Sequence, residues 1–109
     1  MSMSDVLELL ETAMTDPGSY KSGEYLREHV LAHARHVVTK DRSGLVTALQ
    51  EWLNTRSEPR TMIAVTVARE LGLKEMKSEI EILRREVQAG KVFPHFYIDN
   101  IDNALNALA

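Results

Sequence analysis

The stretch from Ser57 to Gly90, SEPRTMIAVTVARELGLKEMKSEIEILRREVQAG, constrains the fold more than any other part of the chain. Two helix-period segments meet there across the short turn Leu71-Gly72-Leu73. Ser57 or Glu58 can cap the first segment, and Pro59 suits its opening turn, where a missing N–H leaves no intrahelical bond unmade. Met62, Val65 and Ala68, with Ile63, Val67 and Leu71 beside them, recur at steps of three and four. Gly72 supplies the left-handed residue that stops a helix. In the second segment Met76, Ile80, Leu83 and Val87 form the apolar stripe. A helix start near Lys74 or a capping box from Ser78 to Glu81 are both open. Glu81 and Arg85 can pair across one turn, and Gly90 ends the segment.

An earlier part of the chain carries the same pattern. With Leu49 placed on Ile80, an offset of 31 residues, Leu45 falls on Met76, Trp52 on Leu83, Leu31 on Met62, Ala34 on Val65 and Val37 on Ala68. A helix-turn-helix unit with a period in the thirties is the sequence signature of an α-solenoid, because each unit needs a neighbour to cover its apolar face. Through LVTALQEWL and the following PRTMIAVTVARELG, residues 25–90 resemble the HEAT-repeat family. The resemblance implies a short HEAT-like stack of antiparallel helix pairs that presents a side of the stack to a partner.

The remaining chain reads as four more helices. Ser4 can cap a first helix running to about Thr15, with Met3, Val6, Leu7, Leu10 and Met14 as its stripe. Asp16-Pro17-Gly18-Ser19 breaks it, and Ser22-Gly23 extends the loop. A second helix covers about Glu24 to Thr39, with Leu26, Val30, Leu31, Ala34, Val37 and Val38 inward. Asp41 or Ser43 caps a third, Leu45 to Asn54. After Gly90, the segment Lys91 to Tyr97 holds three of the six aromatics around Pro94 and reads as extended. Asp99 caps a short last helix with Ile101, Leu105 and Leu108 inward. The expectation is therefore an all-α fold of about six helices in a single domain, residues 1–109.

Composition narrows the function classes. A chain of 109 residues with 44% hydrophobic and 27% charged residues is an ordinary globular domain. Its net charge of −3 argues against a dominant attraction to nucleic acid or anionic lipid. With no cysteine, disulfides and thiolate zinc sites are excluded. No basic-then-apolar leader follows Met1, and no apolar run approaches the roughly 20 residues that cross a bilayer. A cytoplasmic protein without a membrane partner is expected.

Three groups of residues invite a functional reading. His29, His33 and His36 lie within roughly 60° of arc on one helix face, where imidazoles can share a zinc or nickel ion. The competing reading is a polar, solvated face without metal, and it is the one expected. Glu28-His29 resembles, in reversed order, the His-Glu pairs of deoxyhypusine hydroxylase, so nothing is carried over from that family. Phe93, Phe96 and Tyr97 either grip a partner or fold back over the end of the stack. The expectation is that Phe93 and Phe96 pack on the fifth helix near Leu83 and Val87. Arg56, Arg60, Arg84, Arg85 and Lys91 alternate with Glu58, Glu79, Glu81 and Glu86, which makes a mixed surface rather than a phosphate patch.

No nucleophile elbow, phosphate-binding glycine loop or HExxH is present, and the inventory gives no enzyme and no cofactor. The expectation is a non-catalytic scaffold that binds another protein, with a homodimer open. A metal-binding protein or metal-dependent enzyme built on the histidine face is the alternative, and a nucleic-acid binder the more remote one. Since Leu49 and Ile80 are aligned as core positions, Leu49→Ala and Ile80→Ala should each cost roughly 2–5 kcal/mol in chemical denaturation. An unmoved unfolding midpoint for either variant would dismiss the alignment.

Overall fold

The computed structural model describes residues 3–15 and 23–109. They form six α-helices, and no strand occurs among them. In order these are α1 (Met3–Thr15), α2 (Gly23–Val38), α3 (Arg42–Asn54), α4 (Glu58–Leu71), α5 (Lys77–Gln88) and α6 (Ile98–Ala107), with single 3-10 turns at Lys74–Met76 and His95–Tyr97. The chain divides into two compact units, Met1–Leu49 and Gln50–Ala109, with the division inside α3. The breaker expected at Asp16-Pro17-Gly18-Ser19 and the loop residue Ser22 lie outside the described residues. Gly23 is the first residue of α2 rather than part of a loop, and Ser4 lies inside α1 rather than ahead of it.

In the first unit α1 packs on α2. Val6, Leu10 and Ala13 on α1 and Val30, Leu31, Ala34 and Val37 on α2 are buried, which is the expected period of three and four. The turn that follows is set by Asp41. Its Oδ1 accepts the Gly44 N–H at 2.9 Å, the side-chain cap that satisfies one of the free donors at the start of α3. The helix therefore opens at Arg42, three residues before the expected Leu45.

The second unit is organised around α4. Thr61, Met62, Ile63, Ala64 and Val65 are buried in succession, and so are Val67 and Ala68. A helix covered on more than one face is a central element, not a half-solvated one. Thr61 is the polar exception, and its Oγ1 donates to the Trp52 carbonyl at 3.1 Å, with the Leu53 carbonyl at 3.4 Å. The Trp52 carbonyl also accepts the Thr55 hydroxyl at 2.8 Å, so the buried Thr61 hydroxyl is satisfied at the end of α3.

Pro59 stands in the first turn of α4 as expected, although the Ser57 side chain makes no capping bond. Gly72 is left-handed at φ 63° and closes α4, with the Leu73 N–H bonded to the Ala68 carbonyl at 2.9 Å. A 3-10 turn then leads into α5, so Ser78 sits inside the helix and forms no capping box. Gly90, at φ 76°, ends α5 in the same way, with Lys91 N–H bonded to the Glu86 carbonyl at 2.9 Å. Helix α6 packs on both α4 and α5 and buries Ile98, Ile101 and Ala104, with Leu108 just beyond its end.

All twelve residues of the 31-residue alignment are buried, among them Leu49, Ile80, Trp52 and Leu83. Burial on a period of three and four is common to amphipathic helices in general. It fits the aligned core positions without requiring a repeat.

The end of α3 differs from the two glycine caps. Arg56 takes the left-handed conformation there, φ 52°, although it carries a Cβ. Its guanidinium holds Glu86 of α5 by two bonds, Nε–Oε1 at 3.0 Å and Nη2–Oε2 at 3.1 Å, while Nη1 donates to the Leu53 carbonyl at 2.6 Å. The left-handed backbone costs roughly 1 kcal/mol for a residue with a Cβ, and a half-exposed ion pair returns roughly 0.2–1 kcal/mol. Arg56→Ala keeps the backbone cost and loses the pair, whereas Arg56→Gly loses both. The glycine variant should therefore unfold at the higher denaturant concentration, by about 1 kcal/mol. Equal midpoints would show that the helix end relaxes out of the left-handed region.

Candidate functional site

The segment after α5 turns rather than extending. Phe93 is left-handed at φ 57°, a conformation that a bulky side chain adopts at a cost of roughly 1–3 kcal/mol. Pro94 then restores an extended backbone at φ −62°, ψ 145°, and its carbonyl accepts the Tyr97 N–H at 3.2 Å to close the 3-10 turn His95–Tyr97. Helix α6 continues from Ile98, one residue before the expected cap. Asp99 lies in the first turn, where its charge suits the helix dipole without a capping bond.

This turn sorts three successive side chains by direction. Ile98 is buried, Tyr97 is half-buried, and Phe96 is 70% exposed. The expected packing of Phe96 on α5 is thereby corrected. In a 3-10 turn adjacent residues point about 120° apart, and the inward direction is already taken by Ile98. Phe93 is half-buried.

The three rings nevertheless form one cluster. Tyr97 lies between the other two, its ring centre 4.5 Å from that of Phe96 and 6.2 Å from that of Phe93, the latter contact edge to face. The Tyr97 hydroxyl donates to Glu58 Oε1 of α4 at 2.6 Å, which fixes the middle ring. Sequence reasoning did not find this anchor, because its partners stand 39 residues apart.

A second anchor, Arg84 to Asp102, ties α5 to α6. Its Nε–Oδ1 distance is 2.5 Å and its Nη2–Oδ2 distance 3.4 Å. The hydrogen bond, then the opposite charge, raises the Arg84 pKa, while the same bond holds the Asp102 carboxyl below its usual range. Both side chains are more than a third exposed, so solvent screens the pair. With Arg56 bound to Glu86 and Arg84 to Asp102, two of the five cations considered for a phosphate patch are engaged by carboxylates.

The histidine face lies on α2. His29 and His33 are half-buried rather than wet, and His36 is exposed. The His29 and His33 rings meet edge to face with centres 5.0 Å apart, and Tyr25 stacks on His29 at 5.9 Å. Among the described residues no three histidine, cysteine, aspartate or glutamate side chains gather around a common point.

Comparison with family models, with curated proteins and with solved structures finds no match.

The Tyr97 anchor has a titration signature. Its hydrogen bond to the Glu58 carboxylate, with burial and the carboxylate charge adding to it, pushes the phenol up to about 12. The folded state thus holds the proton more tightly than the unfolded chain, where tyrosine titrates near 10. The contribution is complete below pH 10 and is lost as pH rises through 12. In an absorbance titration Tyr97 should ionise late, and Tyr97→Phe should remove that late step. A titration in which Tyr97→Phe removes no late step would dismiss the anchor.

Proposed function

We propose that the chain is a non-catalytic, HEAT-like helical scaffold that binds another protein, and that the aromatic turn Phe93–Tyr97 is its gripping element. The observation that carries this reading is Phe96, the most exposed of the large apolar side chains among the described residues. It projects from a turn whose neighbours are fixed. Tyr97 is held by Glu58, and Phe93 occupies a left-handed backbone that the surroundings must enforce.

A phenyl ring presented on a preorganised turn loses little entropy when a pocket closes over it, and aromatic residues dominate binding hot spots. Strained backbone at an exposed apolar site points the same way. The all-α fold is compatible with this reading, since helical scaffolds bind partners through a side. The net charge of −3 and the paired arginines favour a protein over a nucleic acid. No helix among the described residues is long and apolar enough to cross a membrane.

Removing everything after Gly90 is a poor test, because α6 supplies buried Ile98, Ile101 and Ala104. A single substitution separates the roles. Phe96→Asp should keep the helical circular dichroism of the parent and lower the melting temperature by no more than the few degrees that the lost ring contact with Tyr97 is worth. The same variant should lose the protein that the parent captures from a native lysate, or the dimer that light scattering detects. Retained capture, or loss of the helical circular dichroism, would overturn the proposal.

A further inference from the structure

We infer that His29 and His33 form a two-imidazole chelate for a divalent transition-metal ion, and that His36 stands outside it. The two residues are one helical turn apart on α2, the spacing at which side chains meet. Their ring centres are 5.0 Å apart. An imidazole nitrogen binds such an ion at about 2.0–2.1 Å, which places the ion roughly 3.2 Å from each ring centre. Two rings sharing one ion at angles between tetragonal and tetrahedral then have centres about 4.5–5.2 Å apart. The pair already stands at that separation.

Two features reduce the ordering cost. Both rings are half-buried, and Tyr25 stacks nearly parallel on His29, at 14°.

His36 is different. It is exposed and makes no ring contact with His33 among the described residues, although the sequence places it on the same arc. Among the described residues no third protein ligand gathers at the pair, which leaves the remaining positions to water. A two-nitrogen, open site of this kind selects by intrinsic affinity, and copper(II) stands highest in that order.

The test is calorimetric titration of the metal-free chain, residues 1–109, with copper(II) at neutral pH, read beside the electron spin resonance of the loaded protein. One equivalent should bind, with a spectrum of two imidazole nitrogens. His29→Ala and His33→Ala should each weaken binding about tenfold or more, since even residues behind a ligand are worth 10–100-fold. His36→Ala should bind as the parent does, and all three variants should keep the helical circular dichroism of the parent. Equal binding by the parent and the His29→Ala/His33→Ala double variant would mark an adventitious ion only and overturn the inference. A His36→Ala loss as large as the other two would overturn it as well, in favour of a three-histidine site.

Discussion

The second unit depends on α4 being covered on more than one side. Five consecutive buried residues, Thr61 to Val65, cannot be sheltered by a single neighbouring helix. Covering that much surface requires elements from distant parts of the sequence. The α3 end meets α4 through the Thr61 hydroxyl, and α6 lies against it with Ile98, Ile101 and Ala104. The hydroxyl is what makes a polar residue tolerable at that depth. Unbonded, it would cost about 1–3 kcal/mol, and its bond to the Trp52 carbonyl removes that cost. Placing α6 over α4 also fixes where the chain must arrive after α5, and the aromatic turn is the path it takes.

That path explains why the aromatics divide as they do. Gly90 reverses the chain, Phe93 reverses its handedness again, and Pro94 sets the extended step before the 3-10 turn. Ile98 must reach the core for α6 to begin there. Given that demand, the residues just before it cannot all point inward, and Phe96 is the one turned out. The apolar surface of the turn is thus a geometric consequence of starting α6 at Ile98. Its rigidity comes from the Tyr97 hydroxyl on Glu58 and from ring contacts on both sides of Tyr97.

The sequence disclosed what depends on local chemistry. The all-α class and the six helices followed from a period of three and four between breakers. Asp41, one of the two caps the sequence offered for α3, Pro59 in a first turn, and Gly72 and Gly90 as left-handed stops each express a preference of one residue for one backbone position. What depends on distant neighbours was hidden. The pairs Arg56–Glu86, Arg84–Asp102 and Tyr97–Glu58 span 30, 18 and 39 residues, and no periodicity reports them. Arg56 and Phe93 adopt a handedness that their residue types disfavour, so propensity pointed away from it. Helical arc grouped three histidines, but only two of the rings touch, because side-chain rotamers decide contact after the helix has set direction.

The hidden ion pairs also bear on what the surface can recognise. A guanidinium recognises phosphate with two parallel N–H donors, and the same fork suits a carboxylate. Arg56 commits Nε and Nη2 to Glu86 and Nη1 to a backbone carbonyl, so a phosphate arriving there would have to displace a bidentate partner. Arg84 is committed to Asp102 in the same manner. Glu86 and Asp102 are both held below the usual carboxylate range by these bonds, so they stay charged until pH falls beneath that range. At neutral pH the two arginines are therefore matched by carboxylates rather than presented to an anionic partner. What remains outward at the turn is a phenyl ring, and a ring seeks an apolar pocket. Charge and shape thus favour the same class of partner by separate routes.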